Sequence, residues 1–97
     1  MKNREYYIAT TAGKLLVKGR SFLYKDVEFG IHKANYGYAV DHIASGFRCS
    51  TKFYRTYKEA ENDFVNNGAG DKAIDYINDP DNFEFLARGV AIINGDK

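Results

Sequence analysis

With 97 residues the chain has material for one hydrophobic core and none for a second, so a single domain spanning residues 1–97 is expected. Hydrophobic residues at 44% and charged residues at 28% exclude an intrinsically disordered chain, and a lone cysteine, Cys49, excludes an internal disulfide framework. The net charge of +1 conceals a division: residues 1–58 carry eleven Lys and Arg against four Asp and Glu, net +7, while residues 59–97 carry three against nine, net −6.

That division either creates an interaction surface or lets the two halves neutralise each other on folding. No apolar stretch approaches the roughly 20 residues that cross a bilayer, and no charged start followed by an apolar run marks a secretion signal. The expected location is therefore the cytoplasm, with no membrane partner. Eight Tyr and seven Phe favour strands.

In chain order, residues 6–10 and 14–18 flank Thr11-Ala12-Gly13 and read as a first hairpin. Residues 19–26 are basic and aromatic, and both a loop and a further strand fit them. Val27, Phe29 and Ile31 alternate with Glu28, Gly30 and His32 at the strand period of two. A turn at residues 34–37 leads to a strand over 38–44, and Ser45-Gly46 turns the chain into a third strand over 47–53.

Counting through those turns stacks Phe29 with His42 and Cys49, Ile31 with Val40 and Thr51, and Lys33 with Tyr38 and Phe53 on an apolar face. Glu28 with Ile43 and Arg48, Gly30 with Asp41 and Ser50, and His32 with Ala39 and Lys52 then make an opposite, polar face.

Thr56-Tyr57-Lys58-Glu59 fits a capping box opening a helix, with Tyr57, Ala60 and Phe64 on its inward stripe. Asn66-Asn67-Gly68 ends it, and a second helix is predicted over residues 71–78 with Ala73, Ile74 and Ile77 inward. From residue 79 the signals conflict. Asp79-Pro80 suits a helical turn closed by Gly89, but Phe83-Glu84-Phe85 alternates and residues 90–93 resemble an edge strand, so strand is the expectation. The predicted fold is α+β, an antiparallel meander with one or two helices packed on one face.

Chemistry-bearing patterns are sparse. His42 and Cys49, as cross-strand neighbours, raise a thiolate–imidazole nucleophile, against which stands their place on the covered face. One Cys and two His on opposite faces supply too few ligands for a zinc site, and the carboxylates lack the order of a calcium loop. No phosphate-cradling glycine motif is present. No catalytic residue, metal or cofactor is therefore expected. Two binding surfaces remain: an acidic face of Glu59, Glu61, Asp63, Asp71 and Asp75 for a basic protein or ribonucleoprotein, and a basic set of Lys18, Arg20, Lys25, Arg48 and Lys52 for nucleic acid. The opposite charges of the two halves add a third reading, self-association as a homodimer.

Two resemblances bear on function. The strand order and the segment F-Y-R-T-Y-K-E-A at residues 53–60 resemble the three-stranded DNA-binding domains of integrase arms and plant ethylene-response regulators, over residues 27–67. L-L-V-K-G at residues 15–19, Y-K-D-V-E-F-G-I-H-K at 24–33 and S-G-F at 45–47 look like segments of small phage and mobile-element proteins of low-GC Gram-positive bacteria. That second resemblance implies a short, non-enzymatic accessory protein of anti-defence type, one that blocks a host nuclease such as a CRISPR-Cas effector and works in the host cytoplasm.

Overall fold

The computed structural model describes residues 1–95. These form four antiparallel strands in meander order, β1 (Lys2–Thr10), β2 (Gly13–Tyr24), β3 (Val27–Ala34) and β4 (Gly37–His42), followed by three helices. The helices are α1 (Tyr57–Asn66), α2 (Ala69–Asn78) and α3 (Phe83–Asn94), with a single 3₁₀ turn at Pro80–Asn82 before the last. The fold is α+β, with the helices on one side of the sheet.

The segment whose sequence fits loop or strand is strand. Through it β2 continues to Tyr24 and joins the first hairpin to the meander, pairing Phe22 with Phe29 and Ser21 with Gly30. Its reversal into β3 uses only Lys25 and Asp26, both at positive φ (50° and 67°), the geometry whose twist suits a two-residue hairpin. The β3–β4 register agrees with the count from sequence, including Phe29↔His42, Gly30↔Asp41 and Ile31↔Val40.

The face toward the helices carries Phe22, Phe29, Ile31 and Val40, onto which α1 lowers Ala60 and Phe64. Phe64 is the hub. Its ring lies 4.8 Å from Phe29, 5.7 Å from Phe22 and 6.0 Å from Tyr24, so its burial removes the largest aromatic surface of the helix from water. The helix starts as its sequence requires: Thr56 Oγ1 accepts from Glu59 N at 3.0 Å, while Glu59 reaches back to Arg55 N.

Three expectations are corrected. First, the polar face of the sheet is not open to solvent. Ser21, Gly30, His32, Ala39 and Asp41 are all buried, because Tyr6 of β1 swings over Gly30. A Cβ on Gly30 would lie 2.5 Å from the Tyr6 ring, so only glycine leaves room for that ring. The sheet curls far enough for Ala9 N to donate to Gly46 O at 2.9 Å.

Second, residues 47–53 are not a strand. The turn after β4 uses four residues rather than two, since His42 N donates to Phe47 O, which moves Arg48 opposite Asp41. The chain then bulges before Tyr54 meets Tyr38, so the stacks of Cys49 with His42, Thr51 with Val40 and Lys52 with Ala39 do not form.

Third, residues 83–94 are helical, not strand. Gly89 lies inside α3, where its missing side chain admits Ser45 O and the Phe47 ring. The helix presents its glycine to the 45–47 turn, and this close contact outweighs glycine's weak helix propensity.

Candidate functional site

The departure of residues 45–54 from the sheet opens a cleft of about 560 Å³ between that segment and all three helices. Its floor is aromatic. Phe47 stacks on Phe85 at 4.2 Å with their planes 13° apart, and Tyr76 meets Phe85 edge-on at 6.3 Å. The segment is fixed by side-chain bonds to the sheet end: Ser45 Oγ lies 2.7 Å from His42 Nδ1 and accepts from Phe47 N, and Ser50 Oγ accepts from Val40 N at 3.1 Å.

Among the described residues, Arg48, Lys52 and Lys72 line the cleft beside a single carboxylate, Asp63. Asp63 is already engaged. It accepts from Asn67 and from the Tyr54 hydroxyl, which hold it below its ordinary value, and Lys52 Nζ lies 3.7 Å away. Arg48 rests over the Phe53 ring at 5.0 Å. Among the described residues neither Arg48 nor Lys72 enters an ion pair.

His42 and Cys49 both line the cleft but are not direct cross-strand partners. Burial, reinforced by the Asp41 charge, pushes the Cys49 thiol up to about 12, and burial lowers His42. At neutral pH the pair is thus a thiol and a neutral imidazole whose Nδ1 is held by Ser45. Among the described residues no group of three or more His, Cys, Asp and Glu is placed to hold a metal, and no helix is long and apolar enough to cross a membrane.

The five acidic residues singled out in the sequence do not form one face. Glu59 caps α1; Glu61 lies two positions on, turned about 200° around the helix, and Asp63 points to Lys52. Asp71 accepts from Lys25 Nζ at 2.6 Å and from Tyr24 OH at 2.7 Å, bonds that lower its pKa, while Asp75 is exposed on the same stripe of α2. Three of the five, Glu59 with Arg55, Asp63 with Lys52 and Asp71 with Lys25, therefore join the acidic half to the basic half.

The basic set is likewise dispersed. Lys18 is 3.8 Å from Glu5, and Arg20 covers the Tyr57 ring at 4.4 Å, on one side of the molecule. Lys25 sits at the β2–β3 turn against Asp71, and only Arg48 and Lys52 share the cleft.

Sequence reasoning missed two clusters. Tyr6 OH donates to Asp41 Oδ2 at 2.7 Å and His32 Nδ1 lies 2.6 Å from the same oxygen, a buried network that spans three strands. Gly30 opposite Asp41 was its one visible signal. The other cluster is the exposed set Asp79, Asp81, Phe83 and Glu84 at the α2–α3 corner, hidden by the strand reading of residues 83–85. Comparison with protein families, curated proteins and solved structures finds no match to this chain.

Proposed function

We propose that this is a small, non-enzymatic accessory protein of phage type that binds a macromolecular target stoichiometrically, the target being a host defence nuclease such as a CRISPR-Cas effector. The observation that supports this reading is the outer side of α3. Phe83 is 72% exposed and Val90 38%, and Ala87 and Ala91 are exposed with them, an apolar stripe at i, i+4, i+7 and i+8. The adjoining flank of the same helix packs Leu86, Gly89 and Ile93 inward. A helix whose apolar surface extends well past its packed flank ordinarily has a further neighbour.

At the start of α3 and in the turn before it stand Asp79, Asp81 and Glu84, exposed and none in an ion pair with a cation among the described residues; Arg88 is the one exposed cation on the helix. An apolar centre with an acidic rim complements a basic nucleic-acid-binding groove: the rim speeds capture, and the buried anchor slows release. The acidic face of this proposal therefore moves from α1 and α2 to the corner of Asp79, Asp81 and Glu84.

The test is a cleavage reaction by purified RNA-guided nucleases titrated with the protein. Inhibition complete near one equivalent, and abolished by Phe83→Asp or by Asp79→Lys with Asp81→Lys, is the expected result. Full cleavage at tenfold excess across the panel, with no complex on size exclusion, refutes it. A second reading, a nucleic-acid-binding module, draws on Lys18 beside the Arg20–Tyr57 pair. Its binding would fall steeply with salt, and a gel shift without retardation at low salt removes it.

A further inference from the structure

The proposed target surface lies on the outer side of α3 and leaves the cleft beneath residues 45–54 unassigned. We propose that this cleft is a binding site for one planar ligand bearing a phosphate, a nucleoside monophosphate in its chemistry. Size, charge and lining converge on that class.

A volume of about 560 Å³ lies inside the range of roughly 300–1,000 Å³ typical of small-molecule sites. The charge is one-sided. Among the described residues Asp63 is the one carboxylate lining it and is taken up by Tyr54, Asn67 and Lys52, so Arg48 on the loop wall, resting on the Phe53 ring, and Lys72 on the helical wall have no ion-pair partner and can meet an anion. Arginine offers phosphate a planar fork of donors and lysine a mobile point charge, so the two suit one phosphate approached from two sides.

The lining then selects what the phosphate is attached to. Phe85 and Tyr76 line the cleft and are 42% and 46% exposed; Phe47 and Phe85 cover one face of each other, so a base would stack on the Tyr76 ring or on the outer end of the Phe47–Phe85 pair. Between them the wall is Ala73, Ile77, Leu86 and the Cys49 thiol, which offers contact area and no charge. Bare phosphate would leave those aromatic and aliphatic surfaces wet, and an uncharged nucleoside would leave the two cations unanswered.

Isothermal titration of the full chain with AMP, adenosine, inorganic phosphate and a 5′-phosphorylated trinucleotide separates the contributions. AMP is expected to bind saturably, at least tenfold more tightly than adenosine or phosphate. Arg48→Ala with Lys72→Ala should lower AMP affinity at least tenfold and leave the weak adenosine binding unchanged. Both side chains are exposed, so this double variant keeps the fold, which its melting curve verifies. Tyr76→Ala removes the ring that meets Phe85 edge-on and should weaken AMP and adenosine together; AMP affinity unchanged in this variant overturns the stacking part of the assignment. Absence of saturable AMP binding at millimolar concentration, or AMP affinity unchanged in the double variant, overturns the assignment. Tighter binding of the trinucleotide than of AMP overturns the free-nucleotide assignment in favour of a strand end.

Discussion

Replacing Tyr6 by Phe removes one oxygen from the centre of the molecule while keeping the ring that covers Gly30. That oxygen donates to Asp41 Oδ2 at 2.7 Å, and Asp41 is 1% exposed, so no water can take over the donor's place. Burial and the Asp41 carboxylate both push the phenol well above its ordinary pKa, so it stays a donor throughout the accessible pH range. Losing a hydrogen bond to a buried carboxylate costs about 1.5–3 kcal/mol. A loss of about 2 kcal/mol lowers the folded-to-unfolded ratio roughly 30-fold and the melting temperature by about 8–16 °C in a domain of this size.

Urea unfolding followed by far-UV circular dichroism measures this effect, with the midpoint falling and the slope unchanged. Asp41→Asn, alone and combined with Tyr6→Phe, completes a double-mutant cycle that isolates the coupling of the two groups. Destabilisation under about 0.5 kcal/mol, or additivity in the cycle, would refute the claim that this bond ties β1 to the centre of the sheet.

Three further outcomes follow from local geometry. Gly89→Ala, which in an exposed helix gains about 1 kcal/mol, is expected to destabilise here, because its Cβ would lie 2.3 Å from Ser45 O; thermal melting reads the sign. Thr56→Ala removes the cap of α1 and should lower stability by about 1 kcal/mol in urea, whereas Thr56→Ser should retain it. Cys49 is raised from 9.0 to about 12 by burial, so the unfolded chain releases the thiol proton first as pH rises. Stability from this group is complete below about pH 9 and is lost toward pH 12, at no more than about 1.4 kcal/mol per pH unit. Urea unfolding between pH 8 and 11 should show a shallower decline for Cys49→Ala than for the natural protein.

What could be read from sequence was what depends on neighbours along the chain. The period of two in residues 27–31, the Thr56–Glu59 cap and the arrest at residues 66–68 are local patterns, and each forms as read. Failures came where a distant contact decides. Gly89 fits a helix end by propensity and sits mid-helix because Ser45 and Phe47 press on it. The polar alternation of Gly30, His32 and Asp41 fits a solvated face, but Tyr6, more than twenty residues away, covers it. The acidic set dispersed for the same reason: Tyr24, Lys25, Lys52 and Tyr54 claim two of its members, pairings that no spacing within α1 or α2 reveals.

The buried network and the cleft have one cause. Once Tyr6 fills the inner face above Gly30, Asp41 and His32, a regular fifth strand over residues 47–53 would bring Lys52 onto that filled face, where an unpaired cation costs several kcal/mol. The chain avoids this by leaving the ladder just after Arg48: Cys49 N and Ser50 N both turn to Val40 O, and the Ser50 hydroxyl takes the Val40 N–H that a strand partner would have accepted. The extra residues carry Lys52 outward to Asp63, while Arg48, opposite Asp41 at the sheet edge, lies over Phe53. The departure of this basic segment from the sheet edge just after Arg48 leaves a gap against the helices, and that gap is the cleft.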